Sequence, residues 1–178
     1  MTHNLFIRSS PNNNAYCQDN EISWYDWGSA DTTLLEFVRR LIQLRKQHPV
    51  FWRRKWFKGR PIHGAKVTDI GWFTPDGKEM TEEQWGEGFA AAGVFLNGEG
   101  IDSPDARGER VVDQSFYVLF NAHYEPLPFV LRRVDWGREW IVVLDTNKPL
   151  PEEEEQRYKP GDEIPVESRA VKVLRRVN

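Results

Sequence analysis

Apolar residues fall along this chain in two rhythms. From Leu34 to Leu44 they stand at Leu34, Leu35, Phe37, Val38, Leu41, Ile42 and Leu44, a spacing that gathers them on one wide face of a helix. Asp31 or Thr33 can cap its start, Thr33 and Glu36 have capping-box spacing, and Pro49 ends it. Arg45 and His48 fall inside the apolar arc but in the last turn, where a cation suits the helix dipole. Both read as satisfied, partly buried cations.

After Pro49 the rhythm shortens. DIGWF, GVFL, SFYVLFNA, LPFVLRRV, EWIVVLDT and RAVKVLRRV are rich in β-branched and aromatic residues, and turn signals such as Pro-Asp-Gly and Asn-Gly-Glu-Gly divide them. Such spacing predicts an antiparallel β-sandwich or barrel. SFYVLF and PFVL, joined by a short polar link, predict a hairpin. Thr81-Glu82-Glu83-Gln84 is a second capping box and predicts a turn or two of helix. Residues 102–110 and 149–161 read as surface loops, the second carrying the solvated charge run Glu152–Glu155. Asn, Ser, Pro and Gly break any period over residues 1–28, which read as irregular. The expected fold class is therefore mainly β, an antiparallel β-sandwich with one N-terminal amphipathic helix. The expected division is 1–48, irregular lead-in plus helix, and 49–178, β-sandwich.

Composition narrows the function. With 178 residues and a net charge of −3 there is no broad basic field, so neither nucleic acid nor an anionic membrane is an expected partner. MTHNLFIRSS lacks the apolar run of a signal peptide, and no stretch has the length of a membrane span. The single cysteine, Cys17, excludes an internal disulfide, and a cytoplasmic location is expected. Aromatics make up 13% of the chain, with eight Trp. Most serve as core filler, and the rest can offer flat faces to ligands such as sugar rings.

Few motifs carry chemistry. GEGFAAAG lacks the Lys-Ser/Thr ending of a phosphate loop. His3, His48, His63 and His123 are scattered, so no metal site is expected. Cys17 has no neighbouring His to activate it. The carboxylate pairs Asp19 with Glu21 and Asp76 with Glu79 have the residue type for glycoside hydrolysis, but each reads as a surface pair. The stretch NNNAYCQDNEISWYDW, residues 12–27, is different. Its amides both donate and accept, as sugar hydroxyls do, and Tyr16, Trp24, Tyr25 and Trp27 offer stacking faces. Turn-forming amides beside core aromatics are the other reading.

NNNAYCQDNEISWYDW closely resembles the segment after the eighth barrel strand of bacterial glycogen debranching enzymes, the isoamylase group of the α-amylase superfamily. The resemblance continues through FVRRLIQLRKQHPVF, DIGWFTPDGKEMTEEQW, GVFLNGEGI, FNAHYEP, WIVVLDT and SRAVKVLRR. It implies that residues 12–28 correspond to the loop after the last barrel strand, 31–48 to the eighth barrel helix and the remainder to the C-terminal β-sandwich. Those enzymes hydrolyse α-1,6 branch points in glycogen-like glucans and need no cofactor. Their nucleophile, general acid and third acidic residue lie on earlier barrel strands, so no catalytic residue carries over. A complete barrel takes roughly 250 residues, and MTHNLFIRSSP stands where the family has its last strand and a Gly-containing loop.

What carries over is weak α-glucan contact at Asn13, Asn14, Tyr16, Gln18 and Asp19, since barrel active sites are built from loops at the strand ends. Two functions are expected from this. One is a non-catalytic fragment or remnant of a debranching enzyme. The other is an autonomous carbohydrate-binding or assembly module for a separately encoded hydrolase. A self-sufficient hydrolase using Asp19 is disfavoured, because two positioned carboxyl groups are needed. In either case the helix arc is wider than one packing surface requires. Leu34, Phe37, Val38, Leu41 and Leu44 are therefore expected to mediate self-association or docking onto a catalytic barrel chain.

Overall fold

The computed structural model describes residues 27–61, 67–86, 88–131, 134–150 and 155–177. Helix α1 spans Thr32–Gln47. Of the two candidate caps, Asp31 is the one used, its carboxylate accepting from Leu34 N at 3.0 Å. His48 closes the helix ahead of Pro49. Helix α2, Glu82–Gly86, begins where the second capping box stands. There Thr81 N donates to Gln84 Oε1 at 2.9 Å, while Gln84 N donates to Thr81 Oγ at 3.4 Å.

Among the described residues eight strands follow α1: β1 Ile70–Phe73, β2 Ala91–Leu96, β3 Phe116–Asn121, β4 Leu127–Val130, β5 Glu139–Asp145, β6 Arg157–Tyr158, β7 Glu163–Val166 and β8 Ala170–Val177. Six of them form one antiparallel sheet in the order β1-β2-β3-β8-β5-β6, and β4 and β7 pair as a second, smaller sheet. The chain is thus mainly β, in antiparallel sheets with one main helix.

Alternation along the large sheet explains why its strands read as continuous apolar runs. Successive side chains point to opposite faces, and here both faces are covered. Phe95, Tyr117, Leu119 and Leu174 join Phe129 of β4 and Ile164 and Val166 of β7 in one core cluster. Val94, Leu96, Phe116 and Val173 join Val50 and Ile101 in a second, against which Phe37 and Leu44 of α1 pack. The large sheet is the middle layer, with the small sheet on one side and α1 on the other. One face also holds two satisfied polar groups. On the small-sheet side, Asn121 Nδ2 donates to Val166 O at 3.1 Å, and Lys172 Nζ donates to Pro165 O at 2.8 Å.

A bulge in β5 adjusts this alternation. Val142 stands opposite Leu174 and Leu144 opposite Val173, so Val143 is an extra residue without a partner in β8. Val143 and Leu144 consequently both reach the α1-side cluster.

Three expectations change. SFYVLF and PFVL do not form a hairpin, since β3 lies between β2 and β8 and β4 belongs to the other sheet. With both edges of β3 taken, a strand carrying Pro128 has no ladder to join; instead Pro128 faces Pro165 across the two-stranded sheet. The stretch expected as a loop over 149–161 contains β6. Arg45 is exposed, whereas His48 is buried.

Candidate functional site

Helix α1 is fixed to the sheet by a few specific contacts. Phe37 and Leu44 lie seven residues apart on one line of the helix and meet the second core cluster. Between them Arg40 reaches across, donating from Nη1 to Pro149 O at 2.9 Å and from Nη2 to Val143 O at 3.4 Å. The second acceptor is the carbonyl of the bulged residue, so the irregularity in β5 serves the helix. At the helix end Asp113 closes the joint. Its Oδ1 accepts from His48 Nδ1 at 2.8 Å and from Gln114 N at 2.7 Å, and its Oδ2 accepts from Val50 N at 3.0 Å. An ionised carboxylate only accepts, so His48 carries its proton on Nδ1. Phe116 meets the same imidazole edge-on at 4.7 Å.

These contacts use one flank of the arc. At about 100° per residue, the apolar positions run from Leu44 and Phe37 through Leu41, Leu34 and Val38 to Ile42 and Leu35. None of them is fully buried. Leu34, Phe37, Val38 and Leu44 are half-buried, while Leu35, Leu41 and Ile42 remain 43%, 44% and 49% exposed. Beyond Phe37 the arc, from Leu41 round to Leu35, therefore presents branched aliphatic side chains to solvent, two turns long. Asn13, Asn14, Tyr16, Gln18 and Asp19 lie outside the described residues.

Of the pair Asp76 and Glu79, the first is engaged by neighbours in its own turn. Asp76 sits in the turn after β1, where its carboxylate accepts from Lys78 Nζ at 2.7 Å and from Thr74 Oγ1. The Lys78 bond, then the Thr74 bond, hold its pKa below the ordinary 3.8. A general acid needs the opposite shift.

The sequence reading did not single out a surface cleft of about 330 Å³ beyond the helix end, lined by Trp52, Arg53, Arg54, Ile101, Ser103 and Arg107 among others. Its signal was present in RRKWFKGR, residues 53–60, which holds five cations and no anion in a chain of net charge −3. Two of the five are held internally. Arg53 Nη2 donates to Asp69 Oδ2 at 3.3 Å and to Gly100 O at 3.0 Å, with its guanidinium 4.0 Å from the Phe57 ring centroid. Lys58 pairs with Asp102. Asp69, fully buried, also accepts from Lys58 N and Gly59 N at 2.9 Å each, which pins this segment against the sheet.

Among the described residues no helix is long and apolar enough to cross a membrane. Residues 69–176, from just before β1 into β8, match the family model described as "Isoamylase, C-terminal". The chain is 53% identical over 143 residues to a protein of Mycobacterium bovis named "Glycogen operon protein GlgX homolog", which covers 78% of this chain and 20% of that protein. It is 34% identical over 125 residues to a glycogen debranching enzyme of Pectobacterium carotovorum, covering 70% of this chain and 16% of the enzyme. Among solved structures, a pullulanase type I from Bacillus subtilis in complex with maltose aligns with 81% of this chain and 15% of its own, at a TM-score of 0.46 and 17% identity. The chain spans a fifth or less of the length of these curated relatives. With well over half of its residues inside the matched span, the chain belongs to the isoamylase C-terminal family.

Proposed function

We propose that this chain serves glycogen debranching as a non-catalytic part, with α1 docking onto a (β/α)₈ catalytic barrel that hydrolyses α-1,6 branch points. In this reading residues 1–48 belong with the barrel and 49–178 form the sandwich that covers its end. The observation that carries it is the divided arc of α1. One flank is fastened to the sheet through Phe37, Arg40 and Leu44, and the rest of the arc, from Leu41 through half-buried Leu34 and Val38 to Ile42 and Leu35, leaves Leu41, Ile42 and Leu35 nearly half exposed. A contiguous aliphatic face of this kind marks a protein contact. Relatives in which the matched segment is a fifth of the length or less, one named a glycogen operon protein homolog and one a glycogen debranching enzyme, supply the kind of partner it fits. Weak α-glucan contact through Asn13, Asn14, Tyr16, Gln18 and Asp19 belongs to the same reading, as does a cytoplasmic location beside the glucan.

The catalytic half of the proposal is tested with the isolated chain and a branched α-glucan. No reducing ends are released, because none of the family's acidic residues carries over and an oxocarbenium-like transition state needs two placed carboxyl groups. Release that disappears in Asp19→Asn would overturn it.

A further inference from the structure

The cleft beyond the end of α1 draws no residue from that helix, and its ligand is independent of the role proposed above. We infer that it is a binding site for a phosphorylated monosaccharide. Its volume of about 330 Å³ falls at the small end of the roughly 300–1,000 Å³ usual for ligand pockets, room for one ring rather than a chain of them.

Three features set the chemistry. The first is charge. Arg54 and Arg107 line the cleft, are exposed, and have no hydrogen bond or ion pair from their side chains among the described residues. Asp105, the carboxylate of the lining, turns one oxygen to the loop backbone, Oδ1 accepting from Arg107 N and Glu109 N at 2.8 Å each. Two free guanidinium groups on opposite segments, 49–54 and 101–111, suit an anion with several acceptor oxygens, and their planar forks match phosphate. Behind them the buried Arg53 adds a third guanidinium whose Nε and Nη1 have no partner.

The second feature is the wall. Trp52 is 46% exposed at the cleft, and Pro49, Pro104, Ile101 and Val111 complete an apolar lining. An inorganic ion has no use for this surface, whereas the C–H face of a sugar ring packs on it. The third is Ser103. It is only 8% exposed, it lines the cleft, and its hydroxyl makes no hydrogen bond among the described residues. A buried hydroxyl both donates and accepts, which is the requirement for meeting a sugar hydroxyl.

Isothermal titration of the chain with glucose 1-phosphate, glucose 6-phosphate, glucose and inorganic phosphate tests the assignment. At least one sugar phosphate binds saturably, tenfold or more tighter than glucose and than phosphate. Arg54→Gln and Arg107→Gln each weaken it tenfold or more, Trp52→Ala weakens it and narrows the margin over inorganic phosphate, and Lys78→Gln, remote in the turn after β1, changes nothing. Circular dichroism confirms that each variant is folded; all these positions are exposed. Absence of saturable binding by both sugar phosphates would overturn the proposal. So would phosphate binding as tightly as they do, or an equal loss in Lys78→Gln, which would mark the effect as general charge.

Discussion

Removing the Asp113 carboxylate should free α1 from the sheet. Both of its oxygens are in use, Oδ1 by His48 Nδ1 and Gln114 N and Oδ2 by Val50 N. Val50 is 2% exposed and His48 9%, so water cannot readily replace the lost acceptors. In Asp113→Ala two buried donors, His48 Nδ1–H and Val50 N–H, are left unsatisfied. Each costs about 1–3 kcal/mol, and a total of about 3–4 kcal/mol is expected. Against the 5–15 kcal/mol typical of a whole domain, that is a large share. Asp113→Asn discriminates further. Since N–H donors face both oxygens, an amide NH₂ must oppose one of them, and this variant should recover only part of the loss. Urea unfolding followed by Trp fluorescence gives the magnitudes. Hydrogen exchange locates the effect, with α1 amides losing protection before those of β2, β3 and β8. A loss below about 1 kcal/mol, or equal loss of protection in helix and sheet, would refute the view that this joint holds α1.

Gly98→Ala should cost about 3 kcal/mol, because an added Cβ would stand 2.2 Å from the backbone oxygens of Asp113 and Gln114, which cannot swing aside; thermal unfolding measures it. Asp76 should titrate below 3.8 by NMR and move back toward that value in Lys78→Ala, since the Lys78 bond is the largest cause of its shift. As its folded pKa is lowered, the contribution is present above the unfolded value and is lost as pH falls through the folded one.

Helix α1 was legible because its signals are local. Asp31 and Pro49 bracket an apolar period that tertiary contacts did not have to supply. β1, β2, β3, β5 and β8 were legible from their Val, Ile, Phe and Trp runs, and those runs were continuous because the large sheet is covered on both faces. Pairing was not legible. Nothing near SFYVLF says that β8, more than fifty residues later, occupies the edge a hairpin partner would take. The strands β6 and β7 escaped for a different reason. RY is two residues long, and EIPV carries a proline that ordinarily argues against a strand. The cleft was missed because its basic wall and its Ser103–Arg107 wall lie about fifty residues apart, each resembling an ordinary solvated loop. The arc of α1 was visible as too wide, but only the contacts of Phe37, Arg40 and Leu44 divide it into an attached and an open flank.

That open flank is tested most directly by light scattering of the isolated chain across a concentration series, repeated for Leu41→Glu. With no barrel present, the face carrying Leu35, Leu41 and Ile42 should close on a second copy, so the apparent mass rises with concentration and the substitution returns it to the monomer value. A monomer at every concentration, unchanged by Leu41→Glu, would contradict a docking role for α1.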